Sequence, residues 1–476
     1  MHKIKINKFL IPLGICLAVV SCTPALAPLA ATKAVPESFD KSMDTITTAT
    51  APWRTYFKDQ NLIHLIDIAL QNNQELQITL QEIEIAKNDI RVRKGALLPK
   101  VGIGAGAGIE KVGRYTSQGA GDASTEIRPG LEMPEPLGDL KIAAYANWEV
   151  DIWKKLRSSK KAAISRYLST VEGKNFVITN LIAEVANSYY ELLALDSQLD
   201  IVKQTINLQS NALEIVKIQK EAARTTELAV QKFQAEVMAS KSMEFEILQN
   251  IKETENKINF LLGQYPQEIK RDKTNFVDLI PSGISSGIPA QLLANRPDIK
   301  QAELELEAAK LDVKTARAEF YPSLDITAAV GFNAFKPSYL FTLPESLLYA
   351  LAGDLTAPLI NRNALKAEYS SANARQIQAL YNYERSILNA YLEVSSQLSK
   401  INNLEKSYDL KSQQVAALNR SIAVAGDLFK SARVDYFEVL MTQRDALESK
   451  LELIETKKAQ LNASVLVYRD LGGGWK

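Results

Sequence analysis

Apolar residues recur at intervals of three and four along Leu168, Val171, Ile178, Ile182, Val185, Tyr189, Leu192, Leu199, Val202, Ile206, Leu213 and Val216. Where the interval is seven, a polar residue such as Asn175 or Asp196 stands in the skipped place. This spacing keeps one stripe on a single helix face and is the signature of coiled-coil packing. No proline lies between Pro136 and Pro266, and Gly173 is the only glycine from Lys154 to Leu262. The pattern therefore predicts one helix from about Lys154 to Arg224. At 1.5 Å per residue, about 70 residues make a helix roughly 105 Å long, against roughly 10–14 residues for an ordinary globular helix. Such an element bridges a distance.

Elsewhere the period changes to two. Val101, Ile103, Ala105, Ala107 and Ile109 alternate strictly with glycines, and Ile142, Ala144, Ala146, Trp148, Val150 and Ile152 alternate with Lys141, Tyr145, Asn147, Glu149 and Asp151. Leu324, Ile326, Ala328, Val330 and Phe332 alternate with Asp325, Thr327 and Asn333, and a looser alternation follows at Leu347, Tyr349, Leu351, Gly353 and Leu355. Period two sustained over about ten residues is what a membrane β-strand requires, apolar toward lipid and polar or small toward a lumen. Tyr145, Trp148, Trp153, Phe335, Tyr339 and Phe341 are candidates for the aromatic belts at the membrane surfaces.

The chain repeats itself. Ala86-Lys87-Asn88-Asp89-Ile90 matches Ala309-Lys310-Leu311-Asp312-Val313 at an offset of 223, and Asn187-Ser188-Tyr189-Tyr190-Glu191 matches Asn389-Ala390-Tyr391-Leu392-Glu393 at 202. Ala223-Arg224 matches Ala432-Arg433, and Leu262-Gly263 matches Leu471-Gly472, both at 209. The step from 202 to 209 is one heptad, so the second long helix gains a repeat and keeps its stripe. Each copy reads helix, two strands, long helix, turn, medium helix. The repeats span residues 61–270 and 290–476, joined by a linker at 271–289. The predicted strands fall at about 100–118, 139–152, 322–335 and 346–359. The opening and closing helices together nearly equal the long helix in length, so two short helices stacked end to end can line one long one. Four strands cannot close a barrel, and an open edge in lipid leaves unpaired backbone groups costing several kcal/mol each. The subunit must oligomerise.

The N-terminus has the three parts of a secretory signal: Lys3, Lys5 and Lys8, then an apolar run from Phe9 to Val20, too short for the ~20 residues a membrane-spanning helix needs. Val19-Val20-Ser21-Cys22 resembles the bacterial lipoprotein box, which implies removal of residues 1–21 and acylation of Cys22. Thr23, rather than aspartate, follows the cysteine, which points to the outer membrane. Residues 22–60, with prolines at 24, 28, 36 and 52, read as a lipid-anchored extended segment. The mature chain then keeps one histidine, His64, and one cysteine, itself acylated. This composition argues against Ser-His-Asp and Cys-His catalysis and against a Cys/His zinc site, and neither a cofactor nor a resident metal is expected. A formal charge of +1 on 476 residues gives no reason to expect nucleic acid.

Taken together, the lipobox at Cys22, Asn295-Arg296-Pro297-Asp298-Ile299, Phe320-Tyr321-Pro322-Ser323 and Leu471-Gly472-Gly473-Gly474-Trp475, in this order within a duplicated unit, resemble the outer-membrane efflux proteins of the TolC type, in their lipoprotein branch. The resemblance covers essentially the whole mature chain. It implies a mainly α subunit with membrane β. Three copies would give a 12-stranded β-barrel, four strands per subunit, joined to a long periplasmic α-helical barrel. It implies a homotrimer in outer-membrane lipid that docks a periplasmic adaptor and an inner-membrane pump of the RND type, and exports passively. The periplasmic tips would lie at Ala222–Ala229 and Ser431–Glu438. Gate and docking residues carried over by this likeness are Arg224, Glu227, Arg433, Asp435, Tyr436 and Glu438. Where the family commonly has glycine and a second carboxylate, this chain has Ala432 and Met441, so one acidic ring from Glu438, with Asp435, is implied rather than two. Arg433 and Arg224 are the expected partners for these carboxylates in a closed tip. The alternative function is a trimeric coiled-coil stalk or adhesin anchored by a small barrel. Adhesins carry one terminal strand cluster, whereas here strands interrupt the helices twice.

Overall fold

A computed structural model describes residues 36–39, 45–272, 276–281, 283, 285–358, 362–431 and 433–475. Cys22, the signal segment and Ala432 lie outside the described residues. The main elements are α1 (Gln60–Asn72), α2 (Gln74–Gly95), β1 (Lys100–Glu110), β2 (Leu137–Val150), α3 (Lys155–Glu221), α4 (Glu227–Leu261), α5 (Pro297–Ala318), β3 (Ser323–Ala334), β4 (Leu347–Thr356), α6 (Asn363–Lys430) and α7 (Tyr436–Asp470). The two long helices, α3 and α6, have 67 and 68 residues. They are proline-free, and their stripe of apolar residues recurs at coiled-coil spacing. Two compact units divide the described residues: Glu84–Tyr167 with Leu304–Leu380, and residues 36–83 with Leu168–Glu303 and those from Tyr381 onward.

The first unit holds a four-stranded antiparallel sheet in the order β1-β2-β3-β4. Its register sorts side chains into two faces. Rows such as Ile103–Ala144–Val330–Tyr349 and Val101–Ala146–Ala328–Leu351 run across all four strands, as does Ala105–Ile142–Phe332–Leu347. The rows between them are polar or small: Lys100–Asn147–Thr327–Ala352, Gly102–Tyr145–Ala329–Ala350 and Gly106–Lys141–Asn333. Ile103 is 83% exposed and Leu351 79%, so among the described residues much of the apolar face is left uncovered within one chain. Strands of 10 to 14 residues match the ~9–11 that a tilted strand needs to cross a bilayer. The outer edges of β1 and β4 pair with no other strand among the described residues. No helix among them is long and apolar enough to cross a membrane.

The second unit is built on the α3 stripe: Ile182, Val185, Tyr189, Leu192 and Val202 are buried with Ile258, Leu262, Ile454 and Leu461 of the closing helices. Residues 45–60 depart from the extended conformation expected there. Thr48–Thr50 and Trp53–Tyr56 form short helical turns, and Trp53, Tyr56 and Phe57 are buried in the core. Tyr56 stacks on Tyr468 at 4.1 Å between ring centres, and its hydroxyl donates to the Ser464 carbonyl at 2.8 Å. The Tyr189 hydroxyl donates to Asp59 at 2.7 Å, while Asp59 caps α1 by accepting from the Asn61 N–H. The apolar area of three clustered aromatics outweighs the extending influence of Pro52.

The polar places in the heptad stripe also have an internal role. Asp196 is buried, and Arg271 meets it through Nε at 2.5 Å while reaching Glu255 through Nη1 at 2.8 Å. A buried charge persists only when paired, so this linker arginine is the partner that makes Asp196 tolerable inside the bundle. Arg271 thereby ties the linker to both α3 and α4.

Candidate functional site

The α3–α4 and α6–α7 hairpins end close together on a shared apolar floor, where Leu213 and Val216 of α3 pack with Val230, Phe233 and Val237 of α4 and Val439 and Leu440 of α7. At the first hairpin α3 stops through two reversed hydrogen bonds, Arg224 N–H to the Gln219 carbonyl at 2.8 Å and Ala223 N–H to the Lys220 carbonyl at 2.9 Å. This closure needs a left-handed residue, and Ala223 supplies it at φ +54°. The same closure at Gly263 and Gly472, φ +66° and +91°, uses glycine. A Cβ in the left-handed region costs about 1–2 kcal/mol. Ala223→Gly should therefore raise the stability of the first hairpin by roughly 1 kcal/mol, read as slower hydrogen exchange at the end of α3; unchanged or faster exchange there would contradict it.

Thr226 caps α4, accepting from the Ala229 N–H, and Glu227 forms an ion pair with Lys220 across the turn. That contact and a 2.7 Å hydrogen bond from Gln231 hold the exposed Glu227 carboxyl below its ordinary pKa. Among the described residues neither Arg224 nor Arg433 pairs with a carboxylate; both are exposed. The compensating cation at the first turn is Lys220, which the sequence reading missed. Its place gives a signal: a lysine in the last turn of one helix and a glutamate in the first turn of the next each suit the local helix dipole and face one another.

The 209-residue offset lays Thr226 on Asp435, Glu227 on Tyr436 and Ala229 on Glu438, and the two turns differ accordingly. Asp435 precedes α7 without a side-chain capping bond, Tyr436 is half-buried on the apolar floor, and Glu438 is exposed. Arg433 closes α6 by its N–H to the Leu428 carbonyl at 2.9 Å. One hairpin is ion-clamped; the other presents carboxylates to solvent.

A second constellation unites two of the sequence motifs. The buried Arg296 guanidinium grips Asp298 with two bonds at 3.0 and 2.7 Å, Glu393 at 2.7 Å and the Asp470 carbonyl at 2.9 Å. Burial opposes its charge, but the two carboxylates more than offset this and the pKa rises. Gly472 abuts the Asn295 carbonyl so closely that a Cβ would stand 2.5 Å from it, and the Trp475 indole N–H donates to that same carbonyl at 3.1 Å. The Asn-Arg-Pro-Asp-Ile and Leu-Gly-Gly-Gly-Trp motifs are thus two halves of one anchor. The first repeat has a reduced version. Asn73 donates to the Leu261 carbonyl at 3.0 Å, and a Cβ on Gly263 would lie 2.5 Å from the Asn72 carbonyl. Asn72, Asn73, Leu261 and Gly263 are the offset counterparts of Asn295, Arg296, Asp470 and Gly472.

Residues 65–264 and 288–473 match the sequence profile of the outer membrane efflux protein family, and the gap between the two segments is the linker that holds Arg271. The chain belongs to this family. Curated relatives include the pyoverdine export outer membrane protein OpmQ of Pseudomonas putida, 29% identical over 89% of this chain and 88% of that protein. The cation efflux system protein CusC of Escherichia coli is 26% identical over 98% and 99%. Among solved structures, a membrane protein from Pseudomonas aeruginosa superposes with TM-score 0.85 at 24% identity over 95% of this chain and 98% of that one. The open state of the Neisseria gonorrhoeae MtrE outer membrane channel gives 0.83 at 22% over 96% and 99%. This outer membrane efflux protein thus shares its fold with channels along nearly its full length. The family is one of transport channels rather than enzymes, and its place is the outer membrane.

Proposed function

We propose that three copies of this chain close a 12-stranded barrel in the outer membrane, continued by a periplasmic helical barrel, and that the product is a passive export duct. The observation that supports it best is the sheet: one face is apolar across every strand, and both edges are left open. Lipid satisfies the first feature and neighbouring copies the second. Cys22 carries the lipid anchor. The hairpin ends form the gate and the docking surface for a periplasmic adaptor, and an inner-membrane pump supplies the energy. The relatives' names speak of pyoverdine and of cations, so this architecture serves chemically unlike cargoes, and selection belongs to the pump and adaptor.

In the closed tip, Glu438 carboxylates from three copies converge and repel, at about 1 kcal/mol per pair near 4 Å in water. The Lys220–Glu227 clamp keeps the first hairpin closed against that repulsion. The test is single-channel conductance of the purified protein in planar bilayers. Lys220→Ala should raise the open fraction, Glu438→Ala should lower it and weaken cation selectivity, and Arg224→Ala should behave as wild type. Three wild-type traces would move the gate away from these residues.

A further inference from the structure

At the foot of the sheet, where β2 gives way to α3, Ile152 and Trp153 stand apolar and each 47% exposed. Trp153 is fixed there by its indole N–H to the Pro322 carbonyl at 2.7 Å and by stacking on Tyr321 at 4.8 Å. Directly below, the 13 residues from Lys154 to Arg166 hold six cations and no carboxylate; the matching start of α6, residues 362–374, holds two cations and a glutamate. Several of the six are committed: Lys155 to Glu149, Arg157 to Asp151 and Arg166 to Asp312. Among the described residues Lys154, Lys160 and Lys161 have no ion-pair partner. The backbone N–H groups that open α3 are also taken, since Asp151 accepts from Leu156 at 2.9 Å and Arg157 at 3.0 Å. What remains unpaired is Lys154 and Lys161, both exposed, and the half-buried Lys160.

We propose that Lys154, Lys160 and Lys161 form a docking surface for anionic phospholipid headgroups of the periplasmic leaflet, and that the first repeat alone carries it. This rests on the sheet lying in the outer membrane. Lys154 to Lys161 spans about 10 Å of helix axis, and long lysine stems bend toward the polar layer, which is about 5–7 Å deep on each side of the hydrocarbon. Exposed aromatic and aliphatic side chains immediately above mark the hydrocarbon boundary, and this continuity favours lipid over the other polyanion of the periplasm, the cell-wall polymer. Each basic residue at a membrane surface attracts anionic lipid severalfold.

The test uses the full-length protein in neutral detergent, with native mass spectrometry after addition of equal phosphatidylglycerol and phosphatidylethanolamine. Wild type should retain phosphatidylglycerol preferentially, and Lys154→Asn/Lys160→Gln/Lys161→Gln should reduce that preference by at least about tenfold. Asparagine suits position 154, whose φ is +62°. Lys232→Gln/Lys241→Gln/Arg420→Gln removes equal charge elsewhere and should change nothing. An unaltered preference in the first variant overturns the proposal, as does lysine-dependent binding to purified cell-wall sacculi with none to lipid. Flotation with zwitterionic phosphatidylcholine vesicles separates the two levels: wild type that floats yet shows no phosphatidylglycerol preference overturns this inference alone, and wild type that floats with no vesicle overturns the membrane reading with it.

Discussion

Replacing Arg296 with methionine should destabilise the protein by about 3–5 kcal/mol, the cost typical of removing one partner from a buried ionic cluster. Asp298 and Glu393 would lose their shared cation, and the Asp470 carbonyl its donor. Asp470 is itself buried, and burial already raises its carboxyl pKa against the influence of Arg469 and Arg296. Loss of Arg296 pushes it further in that direction. The tail through Trp475 should then loosen, because Gly472 and the Trp475 indole both rest on Asn295, the residue next to Arg296. Urea unfolding of the solubilised protein measures the first effect, and limited proteolysis after residue 470 the second. Asn73→Ala at the matching place in the first repeat removes only neutral hydrogen bonds and should cost about 1–2 kcal/mol. Equal losses at the two sites would show that the charges contribute nothing beyond a neutral bond.

Two neighbouring positions in β3 should respond oppositely to the same change. Ala328 lies on the apolar face, in the row from Val101 to Leu351, while Thr327 lies on the opposite face beside Asn147 and Ala352. Ala328→Arg places a cation toward lipid near mid-strand, where the cost is about 2–4 kcal/mol and membrane assembly should fail or drop sharply. Thr327→Arg places it toward water and should leave assembly near wild type while altering conductance. Outer-membrane fractionation reads the first and planar bilayers the second. If both variants assemble equally, the apolar face does not meet lipid.

What the sequence made legible follows from periodicity. Alternation over β1 and β2 and heptads over α3 are repeated signals, and repetition survives local exceptions. The Arg271–Asp196–Glu255 cluster is a different kind of object. Its members lie 75 and 16 residues apart, and a polar residue at a skipped heptad place reads the same whether it meets water or a buried guanidinium. The stretch around Trp53-Arg54-Thr55-Tyr56-Phe57 is too short to show a period, and its prolines suggested extension. Its contacts with Tyr468 and Ser464, some 400 residues away, help to fix it. At the hairpin ends the sequence showed which charges are present. Which lysine meets which glutamate is set by the direction in which Ala223 turns the backbone, and a left-handed alanine leaves no mark in the sequence.

Gly102, Gly104, Gly106 and Gly108 all fall on the polar face of β1, and at Gly102 and Gly106 nothing stands within 4 Å of where a Cβ would be. In the proposed barrel, three such staves would leave a quarter of the inner circumference with little side-chain bulk, the Tyr145 ring beside Gly104 apart. In the proposed duct, a molecule passing it would meet nearly the same lining whatever its shape or sign, so this stretch of wall would not sort cargo. Narrowing the stave one methyl at a time, by alanine at position 102 or 106, would cut throughput for large solutes more than for small ones, turning the proposed duct into a sieve.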